Sequence, residues 1–442
     1  FLKSIWLQTC AYLYTNKIKP TTLEWSCPGS MMEADINELD KIYNSLCKLT
    51  PIVGAKTTLA YHQNAVTEAE AVCSYALSQN FGLNSNNMFL GIDVGGSTSD
   101  ILLLAKDSDN GNQATLYRES SVRLAAGVFF NAVIKSDTFR QALLSFHEGH
   151  KTNVYLSNIK EILTEPSKAP YFLNSIFDQL KTTEDYEEFY SSIDVNAKFV
   201  FTIPAYVTGM LLYYSGMLIG KTIKAEHLER ISRVDVLSFG KGGRLFHWLL
   251  NSAGVRATRE YYADCLNAGV RMVVGKELDV VYRDEIAEDN KAEVAKGLCD
   301  PKELEKKAFS SESDICGESG VKYIMANGAP KELQAEDELT GDYFANEMNN
   351  FDFSGIENFE KFMNIFLDFV SVKTHLYPQA DNALRSDLAD LPNRIASYIC
   401  NNDTEYRKAR NSEDGSFHYH QPLIIAEGVC FLDTLIKKVF DQ

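Results

Sequence analysis

Two aspartates seven positions apart, Asp93 and Asp100, bracket a glycine- and hydroxyl-rich turn between two apolar runs, in MFLGIDVGGSTSDILLLA at residues 88–105. An ionised carboxylate near the end of a buried strand is costly unless it is paired or bound to a metal. Gly95 and Gly96 permit the positive φ of a tight turn and, lacking side chains, let an anion approach backbone N–H groups. Ser97 and Thr98 add hydroxyls. Asp100 returns on the second strand near the end of the hairpin that Asp93 occupies. Two carboxylates beside such a turn suit a hydrated Mg2+ bridging phosphate oxygens, because that ion keeps its waters and takes few protein oxygens. The same residue types also make a plain hairpin with Asp and Ser as turn formers. The stretch by itself leaves both readings open.

Such a turn needs strands to carry it and helices to cover them. SIWLQTCAYLYTN has helical spacing, and TTLEWSCPG reads as a strand ending in a Pro-Gly turn. EADINELDKIYNSLCKL is an amphipathic helix with Ile36, Leu39, Ile42, Tyr43 and Leu46 on one face. AKTTLAYHQ reads as a strand, and VTEAEAVCSYALSQ as a helix with Thr67 at its N-cap and Glu68 and Glu70 in its first turn. Strands separated by helices predict an α/β fold with a mostly parallel sheet. After Gly91 the order becomes strand, glycine turn, strand and a third strand at ATLYRESSVRL. Residues 137–197 read as a helical insertion. RVDVLSF is a strand, GKGGR a turn and LFHWLLNSAG a helix. At 442 residues two or three domains are expected: 1–88, 89–300 and a mainly helical 301–442.

These segments, taken in order, resemble the actin, heat-shock-chaperone and sugar-kinase superfamily of ATPases. FLGIDVGGSTSDILLL is similar to its second phosphate motif, and TTLEWSCPGSM to a strand and turn upstream of it. QNAVTEAEAVCSYAL resembles a helix that carries the family's catalytic glutamate. VRLAAGVFFNAVI resembles the start of the helix after the phosphate hairpin, and RVDVLSFGKGGRLFHWLL the adenosine motif. NKAEVAKGLCD resembles the short helix that follows. The resemblance covers residues 5–300 and implies two ribonuclease-H-like lobes around a nucleotide cleft, with ATP and Mg2+ as cofactors. It implies that Asp93 and Asp100 serve the metal and that Gly95, Gly96, Ser97 and Thr98 face the phosphates. It puts Gly240, Gly242, Gly243 and Arg244 on the adenosine side, and it gives Glu68 the task of orienting the attacking water, with Glu70 as competitor. Three departures stand out. The family's first phosphate motif is not found, Lys241 interrupts the glycines of the adenosine turn, and residues beyond 300 match nothing. The implied function is a Mg-dependent ATPase whose lobe closure drives an interaction with itself or another protein. The alternatives are a sugar- or acetate-type kinase, which lacks its general-base Asp here, and a non-catalytic interaction protein with a degenerate ATP site.

Bulk properties narrow the classes further. A formal net charge of −17 and no basic run exclude wrapping a nucleic acid, whose phosphates demand a basic face. The nine cysteines are scattered without a CxxC pair, which fits reduced thiols in a cytoplasmic protein. The opening FLKSIWLQTC lacks the parts of a signal peptide and reads as the middle of a helix. FVFTIPAYVTGMLLYYSGMLIG at 199–220 has the length of a membrane span. Pro204, its glycines and its tyrosines favour a buried core helix instead. HEGH at 147–150 lacks a third zinc ligand, HYHQ at 418–421 reads as exposed, and Cys73 reads as core.

Overall fold

The structure, a computed structural model, describes residues 2–18, 22–27, 33–49, 58–59, 66–78, 83–106, 114–153, 156, 159–163, 173, 185–283, 292–299, 305–306, 314–324, 328–338, 351–402 and 421–440. The chain forms two units, one of Phe1–Gly82 with Lys291–Leu304 and one of Leu83–Asn290 with Glu305–Gln442. It is an α/β protein.

The second unit is built on a six-stranded sheet. In chain order its elements are β1 (Asn87–Val94), β2 (Ser99–Lys106), β3 (Ala114–Val122), α1 (Gly127–Val133), α2 (Asp137–Gly149), α3 (Tyr186–Ala197) and α4 (Thr202–Ala225). There follow β4 (Arg233–Phe239), α5 (Arg244–Ala253), α6 (Val255–Val274), β5 (Asp279–Tyr282), β6 (Glu305–Lys306), α7 (Glu357–Leu367), α8 (Ala380–Asn402) and α9 (Leu423–Phe440). Strand order is β6-β3-β2-β1-β4-β5. β1, β2 and β3 form an antiparallel meander, whereas β4 lies parallel to β1 on its other side and β5 parallel to β4. β6 adds parallel to β3 at the far edge.

β1 and β2 are buried almost throughout, which explains why both read as continuous apolar runs. Met88, Leu90, Ile92 and Val94 join the large core to which α4 also belongs, together with Ile101, Leu103, Val234 and Val236. The opposite face carries Phe89, Gly91 and Asp93. A side chain at Gly91 would stand 2.4 Å from Leu102 Cδ1, so Leu102 occupies the space above that glycine. At the amino end of β4, buried Asp235 accepts hydrogen bonds from Asn87 (2.9 Å), Arg233 (2.9 Å) and Arg283 (2.9 and 2.8 Å). Burial alone would raise this carboxyl, but those donors outweigh it and hold the pKa below the ordinary aspartate value. The cluster ties β1 and β4 to the segment that follows β5.

Every residue of α4 from Thr202 to Gly220 is buried. The stretch Glu188–Ala225 is long and apolar enough to cross a membrane by length and composition, and 78% of its most apolar part lies inside the protein. A helix apolar on all sides needs partners on all sides. α6 comes closest, since a Cβ at Gly216 would sit 2.0 Å from the Leu266 carbonyl oxygen and one at Gly269 2.1 Å from that of Tyr213. The C-terminal helices cover another side. Tyr206 packs edge-on against Phe362 and Phe366 of α7, and its ring stacks with Phe431 of α9. The described residues of 305–442 and of 83–290 therefore share one core. A small antiparallel sheet of Lys322–Ile324, Pro330–Glu332 and Phe351–Asp352 precedes α7.

In the first unit the helices Leu2–Thr15 and Glu33–Leu49 meet over Trp6, Cys10 and Leu46. Two short parallel pairs join Thr22–Leu23 to Thr58–Leu59 and Ser26–Cys27 to Val66–Thr67. TTLEWSCPG is thus two short strands with different partners, and most of AKTTLAYHQ falls outside the described residues. The helix Glu293–Cys299 returns to pack on Glu68–Ser78, with Gly297 against the Ala71 carbonyl and the Lys296 ammonium 5.5 Å above the Tyr75 ring. All nine cysteines are free thiols, and Cys73 is buried.

Candidate functional site

Because β1 and β4 are parallel, their carboxyl ends lie on one side of the sheet, between strands whose connections leave in opposite directions. Open α/β sheets bind ligands at that position. Pairing places Ser121 opposite Asp100, Asp100 opposite Asp93, and Asp93 opposite Phe239. Directly paired residues point to the same face. The two aspartates therefore stand side by side in one row, as their spacing in the sequence suggested.

Asp93 is half-buried, whereas Asp100 is only 6% exposed. Burial raises the Asp100 pKa, and the Ser121 hydroxyl lowers it in part. Its Oδ1 meets no hydrogen-bond partner among the described residues. A buried carboxylate oxygen without a donor is unfavourable unless a proton or a cation satisfies it.

Beyond Asp93 the hairpin turns through four residues, closed by Gly95 N–H donating to the Thr98 carbonyl at 2.9 Å. Gly95, Gly96 and Ser97 are exposed. Contrary to the sequence expectation, neither glycine adopts a positive φ. Backbone conformation therefore does not explain Gly96, and a Cβ placed there meets nothing within 4 Å. The loop following β3 grips this turn from behind. Ala126 N–H donates to Gly95 O (3.1 Å), Gly127 N–H to Gly96 O (3.0 Å), and Ser99 Oγ to Leu124 O (2.6 Å). A side chain at Gly127 would fall 2.2 Å from Gly96 O, so the close grip needs glycine. With the turn's carbonyls held behind, the N–H groups of Gly96 and Ser97 donate to no protein acceptor among the described residues.

The second glycine turn, 240–243, closes over the end of β1. Gly242 N–H donates to Val94 O at 2.9 Å. Gly240 has φ +69° and lies so close to Asp93 that a Cβ would be 2.2 Å from Asp93 Oδ1. Gly242 and Gly243 are buried, and a Cβ on either would strike β1 or β4 backbone, so packing alone requires glycine at both. Arg244 is buried in the first turn of α5, while Lys241 is half-buried.

Glu68 and Glu70 belong to the first unit. Thr67 Oγ1 accepts the Glu70 N–H and Glu70 Oε2 accepts the Thr67 N–H, both at 3.1 Å, a reciprocal capping box. Glu70 is engaged at its own helix start, while half-buried Glu68 takes no part in that reciprocal pair. Glu70→Ala should cost about 1 kcal/mol of stability, because it removes one arm of the capping box. Unchanged urea unfolding of that variant would contradict its capping role.

Among the described residues no group of three or more His, Cys, Asp or Glu side chains is placed to hold a metal ion. His147 and His150 do not form one. His150 instead stacks on Phe146 and faces Glu188 at 3.3 Å, and the histidines of HYHQ lie outside the described residues. The paired aspartates suit the different case of a hydrated ion held through water. The sequence reading missed Ser121, the Ala126–Gly127 grip and Ser99, whose partners lie on a paired strand or a loop more than twenty residues away and leave no local pattern. No protein-family model matches the chain, and no curated protein matches it.

Proposed function

We propose that the second unit is a nucleotide-binding lobe of the actin-like ATPase type and that its β1–β2 turn holds the phosphates of Mg-ATP. The observation that carries the reading is the exposed turn whose Gly96 and Ser97 N–H groups meet no acceptor among the described residues, beside two side-by-side aspartates. Backbone donors in such a concave turn attract anions without basic side chains, which agrees with a chain of net charge −17. The strand order, read from the third strand of the meander through β1 to β5 with an antiparallel second strand, also supports a ribonuclease-H-like lobe.

Asp93 and Asp100 would hold Mg2+, which supplies charge neutralisation at the phosphate oxygens. Gly96 and Ser97 would donate to those oxygens from a turn already fixed by Ala126 and Gly127, so little reorganisation is needed on binding. Gly240 and Lys241, half-buried on the turn beside Asp93, would border the nucleoside side. Glu68 carries the hydrolytic part of the proposal by resemblance alone, and ATP turnover by Glu68→Gln tests it.

Gly96→Ala separates this reading from a plain hairpin. The added methyl has open space and an ordinary φ, so thermal stability should stay the same or rise slightly. It would project where a phosphate must approach, so Mg-ATP affinity should fall at least about tenfold, or about 1.4 kcal/mol. Unchanged affinity in a chain that does bind Mg-ATP would move the phosphates away from this turn.

A further inference from the structure

Two carboxyls that the proposed site does not use lie in the C-terminal part of the second unit. Glu318 and Glu427 are both 0% exposed. Glu318 sits where the chain approaches α7. It accepts the N–H groups of Ser319 and Asn358, each at 2.7 Å, and that of Phe359 at 2.9 Å. Three backbone donors on one carboxyl favour its ionised form. Glu427, on α9, has the opposite surroundings. Neither of its oxygens meets a donor among the described residues, and its polar neighbour is the Glu318 carboxyl. Two carboxyl groups facing each other in a dry interior repel unless a proton lies between them.

We propose that Glu427 carries this proton and donates it to Glu318, so that one shared proton seats α9 against the start of α7. The inference is independent of the nucleotide reading, although the same helix leans on that scaffold. Gln421, just before α9, accepts the Arg123 N–H at 3.2 Å, three residues ahead of the grip at Ala126.

Among the described residues, the groups around the pair do not supply an alternative countercharge. α4 presents the phenols Tyr206 and Tyr213, the segment before Glu318 presents the Cys316 thiol with Asp337 beyond it, and α9 presents Cys430. Burial raises all four phenols and thiols, which keeps them neutral near pH 7. Arg394 of α8 acts on Cys430 and donates to Thr434 Oγ1 at 2.8 Å. Burial raises both carboxyls, and Glu427 more so because the Glu318 charge faces it.

A carboxyl raised in the native state keeps a proton that the unfolded chain has released. The stability it contributes is full below the ordinary glutamate value of about 4.3 and is lost as pH rises through the native value. Within that range each such group lowers the folding constant about tenfold per pH unit. The test is amide protection factors across α9, followed from about pH 6 to about pH 9. Wild-type protection should fall with pH, by up to about tenfold per unit. Glu427→Gln donates to Glu318 without titrating and should remove most of that slope. If Glu427→Gln does not fold, Glu427→Leu, which removes the charge outright, makes the same comparison. Flat wild-type protection, or an equal slope in the folded variant, overturns the proposal.

Discussion

Asp93→Asn should lower Mg-dependent nucleotide affinity by about a hundredfold or more, or about 2.7 kcal/mol, with a much smaller change in thermal stability. The two effects have different physical origins. Asparagine keeps the size of the side chain and much of its hydrogen bonding, so the strand end and the close contact with Gly240 survive. What disappears is the negative charge. In the unliganded chain that charge sits directly across the strand pair from Asp100, and like charges in this position are destabilising. Removing one relieves that repulsion, which is worth a few tenths of a kcal/mol, so stability should change far less than affinity. With Mg-ATP the same charge is needed to hold the cation, so affinity falls. Calorimetric titration and thermal melts on one sample read both quantities. A plain hairpin predicts the stability result without the affinity result, and a parallel fall in both would indicate that Asp93 is structural.

Gly240→Ala should be strongly destabilising, at about 2–4 kcal/mol of stability. Two costs combine. The residue has φ +69°, a left-handed conformation that costs a non-glycine residue about 1–2 kcal/mol. The methyl would also lie 2.2 Å from Asp93 Oδ1 and 2.9 Å from Val94 O. Asp93 could escape only by rotating out of the row it shares with Asp100, so nucleotide affinity should drop in any fraction that folds. Urea unfolding checks the stability loss, with Gly96→Ala as the control methyl that meets nothing. Similar stability for the two variants would contradict the packing of the 240–243 turn on β1.

Much of this arrangement is legible in the sequence because it is local. β1 and β2 are apolar runs interrupted by a short polar turn, and RVDVLSF followed by GKGGR is a strand entering a glycine-closed helix start. Thr67 with carboxylates in the next turn announces a helix start, but the pattern does not say which carboxylate caps it. The reciprocal bonds of Thr67 and Glu70 decide that. The reason for Gly96 was also hidden. Its type suggested a positive φ, whereas its ordinary φ and open surroundings shift the explanation toward what approaches from outside.

Other features are illegible because their partners are far apart in the chain. The grip of Ala126 and Gly127 on the turn is made by backbone atoms, and the need for glycine at 127 shows only once the turn packs against it. Glu318 and Glu427 meet only after two C-terminal helices have folded onto α4, and neither sits in a recognisable pattern. α4 itself is apolar on every side, so its composition shows that it must be surrounded without showing by what. Tyr206, Phe362, Phe366 and Phe431 answer that through rings drawn from three helices.

The central claim is that the turn at residues 95–98 binds the phosphates of a magnesium nucleotide, and calorimetric titration of the wild-type chain with ATP tests it most directly. Run with Mg2+ and again with excess chelator, it should give one saturable site that is lost or strongly weakened when the metal is removed. A folded chain that shows no saturable heat with Mg-ATP at millimolar concentration, or binding indifferent to the metal, would contradict the account.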